Sequence, residues 1–453
     1  MPSVTKQTLG HNRDFARIWS AATVSVMGSQ VTIIAMPYIA LTMLGASAFQ
    51  AALLFAVEML PFLLFTLPAG VWLDRVRRRP VLVATDIGRG VLLLSIPVAY
   101  AFNVLQLWQL YVVAFLTGSL TALFDVASLS YLPAVIEREA LVDANARLQV
   151  SQSFASIGGP QLGGAVMAIW AAPFAIVIDA LSFLASGAFI SSIQRREAKP
   201  ERRVGADGRP ASLRAEMAEG LSFVLGNRYL RPIAMCTSLT NLFAAAVFAV
   251  FPVLIWNELK LSTAFFGFVM GFAAIGFLVG AALSSRLPRI LGLGPTILLS
   301  AGISAPAYLL MTLTPSMPAI AAVTLFVGQF MAGMSLVVYN VAQVSLRQAI
   351  TPPEMQSRMN ATMRFMVWGT IPVGSLLGGI LASVMPIRLA LVISATASFS
   401  ALIPVLMSPL RSLREIPSAT EGDATPRLVG VMEAETEAGD GTMAHAALSG
   451  VPD

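Results

Sequence analysis

The sequence predicts an all-α membrane protein of twelve transmembrane helices in two six-helix bundles, with both termini cytoplasmic. An apolar composition, a series of bilayer-length apolar runs and a repeat relating the two halves of the chain all point there. Hydrophobic residues make up 56% of the chain and charged residues 12%, about half the charged share of an ordinary soluble domain, which is about 25%. Runs of about 20 apolar residues, the length that crosses about 30 Å of hydrocarbon, fall near 17–43, 49–72, 80–101, 105–127, 149–169, 172–193, 231–255, 263–284, 294–314, 317–341, 364–385 and 388–409.

The first run follows a polar stretch (Lys6, Arg13, Asp14, Arg17). It is too long for a signal-peptide core, so it is expected to stay as the first membrane helix. Cys236 is the only cysteine, which leaves no internal disulfide. Neither it nor His11 and His445 form a metal-ligand cluster, and no cofactor or metal is expected.

Arginine placement sets the orientation. Connections after odd-numbered runs are short and nearly uncharged, as in "GASAF" (Gly45 to Phe49) and "NVLQ" (Asn103 to Gln106), with Glu258, Lys260 and Arg388 as exceptions. Connections after even-numbered runs hold Arg75, Arg77, Arg78, Arg79, Arg138, Arg147, Arg286, Arg289, Arg347 and Arg358. Positive loops stay in the cytoplasm. The net charge of +5 is therefore a topology signal, and a nucleic-acid partner is not expected.

Composition also divides the chain. Residues 1–193 make a first six-helix bundle, 194–230 a cytoplasmic linker, 231–409 a second bundle, and 410–453 a disordered tail rich in Glu, Ala, Gly and Thr. Within the linker, the helical spacing of Leu213, Met217, Leu221 and Val224 predicts an interfacial helix from Ser212 to Leu225. The repeat emerges when the stretch from Asn340 is laid over that from Asp125, an offset of 215 without gaps. Val126, Ala127, Ser130, Ala134, Glu139, Asn145, Ala146, Gly159, Leu162, Gly163 and Gly164 all recur. The offset carries the fourth run onto the tenth, so both copies keep one orientation, the parallel-repeat plan of many transporters.

Three stretches carry a resemblance to the major facilitator superfamily that covers about Asn12 to Ser408. "GVWLDRVRRR" is similar to the superfamily's signature between helices two and three. "GPQLGG" (Gly159, Pro160, Gln161, Leu162, Gly163, Gly164) is similar to the fifth-helix motif associated with exporters. "YLPAVIEREALVDANARL" and "IDALSF" look like the drug:proton antiporter branch that holds macrolide efflux proteins and the enterobactin exporter. The resemblance implies a cytoplasmic gate at a tight turn after helix two: Gly70 permits close helix approach, Asp74 latches onto the second half near the eleventh helix, and Arg75 and Arg78 pair with acids at helix ends, Asp125 being the best placed. Arg77 stands where the superfamily usually has Gly, and Ala155 replaces another motif Gly. The second half keeps only a degenerate signature, Ser285 opposite Gly70 and Arg289 opposite Asp74. The fourth-helix arginine of many proton-driven relatives is absent.

Glu58 lies mid-helix, where an ionised carboxylate facing lipid is expected to cost about 2.5–3.5 kcal/mol or more. It must face protein or water, or carry a proton. It suits proton coupling or a cationic substrate, the alternative being a permanent hydrogen bond to a neighbouring helix. Asp86 and Arg89, three apart, share one helix face and read as a structural ion pair or part of the gate. Asp179 reads as a helix-packing hydrogen-bond partner or a second proton site. The glycines around Pro160 permit close helix contact, and the proline deletes a backbone bond. Gln30, Tyr38, Asn241, Gln329 and Asn340, with the many methionines and phenylalanines, are candidates to line a central cavity suited to bulky lipophilic or amphipathic solutes.

No clustered nucleophile, metal site or phosphate loop is present, which disfavours an enzyme, and a non-transporting sensor would carry an added soluble domain. The expected function is secondary-active export of small molecules by proton antiport, by a monomer in a bacterial cell membrane. Drug efflux and secretion of a native product such as a siderophore remain alternatives.

Overall fold

The computed structural model describes residues 12–73, 76–136, 141–194, 213–315, 317–352 and 355–415. Among them the chain forms helices and no β-strand. The helices are α1 (Arg13–Tyr38), α2 (Ala48–Leu73), α3 (Arg78–Ala101), α4 (Leu107–Val135), α5 (Leu141–Ile169), α6 (Ala172–Ser191), α7 (Leu213–Gly226), α8 (Leu230–Val253), α9 (Thr263–Ser284), α10 (Leu287–Leu291), α11 (Leu293–Thr312), α12 (Pro318–Ile350), α13 (Gln356–Val384), α14 (Ile387–Ala397) and α15 (Ile403–Leu406). Together with a 3₁₀ turn at Ser398–Leu402, α14 and α15 make one continuous apolar segment.

Eleven of these segments are long and apolar enough to cross a membrane. The expected span near 149–169 lies in α5, which is 29 residues long but carries Ser151, Gln152, Ser153, Ser156 and Gln161 among its glycines, too polar to meet the same measure. The expected linker helix is α7, which packs on the start of α13 through a 2.7 Å ion pair between Glu219 and Arg358. Residues 195–212 of the linker and 416–453 of the tail, with Asp74 and Arg75, lie outside the described residues.

Packing separates the helices into two groups. In the first, α1 packs on α5 and α6, α3 on α4 and α6, and α2 on α4; in the second, α8 packs on α13 and α14, α9 on α12, and α11 on α12 and α14. Two extensive crossings join the groups, α5 with α9 and α2 with α13, and a smaller contact links α2 with α8. The 215-residue offset reappears at atomic detail. Asn12 caps α1 by accepting from the amides of Asp14 and Phe15, at 3.1 and 3.0 Å. Its counterpart Asn227 accepts from those of Tyr229 and Leu230, at 2.9 and 3.1 Å. Pro37 in α1 and Pro252 in α8 are each followed by a π-helical turn, Ile39–Met43 and Leu254–Glu258. Both turns lead to a residue with positive φ, Gly45 at 65° and Lys260 at 55°.

The crossings obey the same symmetry. A Cβ on Gly164 of α5 would lie 2.6 Å from the Thr263 carbonyl oxygen and close on Ala264 and Gly267 of α9. Gly379 of α13, at the equivalent position, abuts Phe49 and Ala52 of α2, the counterparts of Ala264 and Gly267. Both contacts lie toward the end bearing the short uncharged connections, the far end. There one apolar core runs through both groups, including Ile34, Ile39 and Leu54 of the first and Val250, Phe251 and Ile255 of the second. Toward the arginine-rich end each group has its own core, one around Phe15, Leu73 and Tyr131, the other around Leu230, Leu346 and Met359. The molecule is therefore sealed at the far end and divided at the arginine-rich end.

The glycine crossings are the joints of this arrangement, and adding side chain there forces the helices apart. At Gly267 a Cβ would sit 2.3 Å from the Pro160 carbonyl oxygen, whereas at Gly302 the nearest neighbour is a Leu402 methyl at 3.8 Å. Gly267→Val is expected to lose ~1–3 kcal/mol through overpacking and Gly302→Ala to change little, as read by unfolding of the detergent-purified protein.

Candidate substrate and proton site

A cavity of about 350 Å³ lies just beneath the far-end seal, between α1, α2, α8 and α9. Its walls follow the repeat: Ile33 faces it from α1 and Phe248 from α8, Pro37 and Pro252 likewise, Ala51 from α2 and Phe266 from α9, Phe55 and Met270 likewise. Each pair differs by 215 residues, so the cavity straddles the pseudo-twofold axis. Met36 and Met59 add adaptable thioether surface.

Glu58 is the one ionisable side chain in this lining. Its backbone is held by close approach of α4, since a Cβ on Gly118 would lie 2.3 Å from the Glu58 carbonyl oxygen. The repeat reproduces this contact in α12 and α9, where a Cβ on Gly333 would lie 2.1 Å from the carbonyl oxygen of Ala273. Packing at this point uses only backbone, and the second copy manages with a methyl group. The carboxyl makes no hydrogen bond or ion pair with any described residue.

Asp179 is placed differently. It is 1% exposed in α6 and accepts hydrogen bonds from Thr32 Oγ1, from Ser29 Oγ at 3.3 Å and from Ser182 Oγ at 3.2 Å. Gly28 lets α1 come close, because a Cβ there would collide with Ser182 and Asp179. Asp179 therefore ties α1 to α6 and lies off the cavity, within electrostatic reach of Glu58.

Asp86 and Arg89 form a buried ion pair on α3. Ser186 Oγ donates to Asp86 at 2.7 Å, and the Arg89 guanidinium lies between the rings of Phe183 and Phe124, 4.1 and 4.4 Å from their centroids. Arg89 Nη1 also reaches Thr121 Oγ1 at 3.4 Å, while its Nε has no hydrogen-bond partner among the described residues. Stacking and hydrogen bonds offset the cost of keeping this charge away from water.

Asp125 on α4 lies within electrostatic reach of Arg89 and of Arg364 on α13. Arg364 faces a second cavity of about 360 Å³ between α2, α4 and α13, with Phe62, Thr66, Asn360 and Trp368 in its walls. This cavity continues along α2 from the first, one turn beyond Glu58 toward the arginine-rich end. Sequence reasoning missed Arg364, which flanks an apolar run and reads there as one more topology charge. Arg79 donates to the carbonyls of Ile190 and Ser191 at the end of α6, a favourable place for a cation. Arg78 opens α3 and Gly70 lies in the last turn of α2; Asp74 and Arg75 lie outside the described residues.

The fifth-helix motif is an intersection. A Cβ on Gly159 would meet the Gln30 side chain at 2.1 Å, and one on Gly163 would lie 3.2 Å from the Gln30 carbonyl oxygen, so this face holds α1. Gly164 and the Pro160 carbonyl hold α9. Gln30 is thus spent on helix contact. Tyr38 stacks edge-on against Trp256 with centroids 5.1 Å apart, closing the far end across the two groups. Asn241 donates to the Val367 carbonyl at 3.3 Å and joins α8 to α13. Gln329 sits behind the wall, its Nε2 3.5 Å from Met270 Sδ, and Asn340 is exposed on α12 beside Gln343. None of these five amide and phenol side chains lines the first cavity; the methionines and phenylalanines do.

Two groups of membrane helices related by an internal repeat, with a ligand-sized cavity on the repeat axis, define a transporter of the major facilitator superfamily. The chain belongs to the transmembrane secretion effector family of that superfamily, whose model matches residues 9–437. It is 27% identical to the multidrug efflux pump Tap of Mycobacterium tuberculosis, over 91% of this chain and 94% of that protein. It is 23% identical to macrolide efflux protein A of Streptococcus pyogenes, over 81% and 89% of the two chains. The crystal structure of a bacterial homologue of the iron transporter ferroportin in its inward-facing state superposes with a TM-score of 0.68 at 17% identity, covering 88% of this chain and 99% of that one. The protein is a multi-pass transporter of the bacterial cell membrane.

The charge cluster on α3 gives a clear expectation. Arg89→Met leaves Asp86 buried without its countercharge and is expected to cost ~3–5 kcal/mol in unfolding experiments. The Asp86→Leu/Arg89→Met pair is expected to recover a substantial part of that loss.

Proposed function

We propose that this protein is a secondary-active exporter of lipophilic or amphipathic small molecules, moving them by alternating access in exchange for protons. The observation that carries the reading is the symmetry-breaking Glu58: a carboxyl without a hydrogen bond or ion pair among the described residues, in an otherwise apolar cavity on the axis about which the two groups rock. Packing does not require it, since the repeat fills the same place with Ala273. A carboxyl in such a place binds a proton when the cavity is closed to water and releases it when hydrated. A lipophilic solute or the proton can then occupy the site in turn.

The names of the two relatives, a multidrug pump and a macrolide efflux protein, support solutes of drug-like size and polarity. The cavity walls fit that class, offering aromatic and thioether surface with one charge. In this reading α5 crosses the membrane as the twelfth span, and both termini are cytoplasmic. The bundles comprise residues 1–193 and 231–409, joined by the 194–230 linker and followed by the 410–453 tail. The arginine-rich end is then the cytoplasmic end, and the conformation described is open inward. Closing it brings Asp125 toward Arg364, and the gate residues Gly70, Asp74, Arg75 and Arg78 latch the first half onto the second near the eleventh helix. Asp86, Arg89 and Asp179 keep the first bundle rigid. The unit is a monomer.

The test is a reconstituted proton-flux assay in liposomes under an imposed pH gradient, using lipophilic cationic drugs, a macrolide and a siderophore as solutes. The wild type is expected to move protons in response to the first two, and Glu58→Gln to lose at least about tenfold of that flux. Full coupling in Glu58→Gln would remove Glu58 from the mechanism, and a response to the siderophore alone would replace the drug-like class with a native secreted product.

A further inference from the structure

Away from the transport pathway, a groove of about 500 Å³ opens at the arginine-rich end of the second group, between the start of α8 and the end of α15. Arg228 and Arg231 stand on one side of it, and Met235, Ile403 and Met407 line its apolar flank.

The arginines occupy an electrostatically costly place. They sit at the N-terminal end of α8, where the helix dipole favours anions and disfavours cations. The first amides of α8 are already satisfied by the Asn227 side chain, at 2.9 and 3.1 Å, so the site is made by side chains and not by the helix end. Arg228 lies over the ring of Tyr229, 4.8 Å from its centroid. The Arg231 guanidinium makes no hydrogen bond or ion pair with any described residue. The flank is exposed, Met235 by 45%, Ile403 by 52% and Met407 by 83%. Apolar exposure of this size on a membrane helix faces acyl chains.

We propose that the groove binds one anionic glycerophospholipid, its phosphate held by Arg228 and Arg231 and an acyl chain lying along Met235, Ile403 and Met407. A guanidinium fork matches phosphate oxygens bidentately, and basic pockets at a membrane boundary attract acidic headgroups. A soluble anion would use the arginines and leave the apolar flank uncovered; a zwitterionic lipid would cover the flank but bring a cation to the arginines. Charge and apolar surface together select the anionic lipid.

Native mass spectrometry of the full-length protein in neutral detergent, titrated with phosphatidylglycerol, phosphatidylcholine or inorganic phosphate, tests this. The wild type is expected to retain one phosphatidylglycerol at least about tenfold more tightly than phosphatidylcholine, and excess inorganic phosphate to leave it bound. Arg228→Gln/Arg231→Gln and Met407→Glu are each expected to lose most of that preference, and Arg231→Lys to keep much of it. Should the double variant not fold, Met407→Glu and Arg231→Lys carry the same comparison with the charges in place. Equal retention of phosphatidylglycerol by Met407→Glu or by the folded double variant overturns the site, and displacement by inorganic phosphate makes it a soluble-anion site instead.

Discussion

Everything in this fold hangs on two glycine-lined crossings at which helices meet backbone to backbone. In a bilayer no hydrophobic force pulls apolar helices together, so association rests on close packing and hydrogen bonds. The α5/α9 and α2/α13 contacts achieve it by removing side chains at Gly164, Gly267 and Gly379. Both lie toward the far end, leaving the other end free to divide into two cores. A pair of symmetric contacts near one end is a hinge line. The cavity is built immediately beside it, with walls drawn from both groups.

The repeat makes the first bundle's departures from symmetry informative. Offset by 215 residues, Glu58, Asp86, Arg89, Asp125 and Asp179 fall on Ala273, Ala301, Ser304, Asn340 and Ser394. The scaffold is therefore shared and the charges are not. For Asp179, Asp86 and Arg89 the departure is absorbed by hydrogen bonds, stacking and an ion pair. Glu58 alone among these acids lines the cavity, without a hydrogen bond or ion pair to any described residue.

Much of this was legible in the sequence because membrane helices are long and the hydrocarbon penalises charge. The apolar runs, the repeat at Gly159, Gly163 and Gly164, and the isolation of Glu58 all follow from that penalty. What the sequence hid is which neighbour a helix face meets. Gln30 and Tyr38 lie on a plausible inward face of α1, yet one is covered by Gly159 and the other by Trp256. Periodicity gives a direction around one helix and says nothing about the helix standing opposite. Part of the missing signal was in fact present: Asn12 and Asn227, Pro37 and Pro252, and Ser47 and Ser262 share the offset of the glycine motif. Together they extend the repeat to the helix caps, π turns and loop ends.

The two cavities along α2 suggest how recognition and conformational change are divided. The inner one is bounded by residues from both groups that pair across the axis, so any solute filling it touches both groups at once. The outer one is flanked by Arg364 of the second group, with Asp125 of the first within its electrostatic reach. Opposite charges on separate bodies attract more strongly as water leaves the space between them. Asp125 and Arg364 therefore place opposite charges on separate groups at the divided end, along α2 from the cavity that holds Glu58. The arrangement keeps the charges that face each other across the two groups apart from the methionine and aromatic surface that lines the inner cavity.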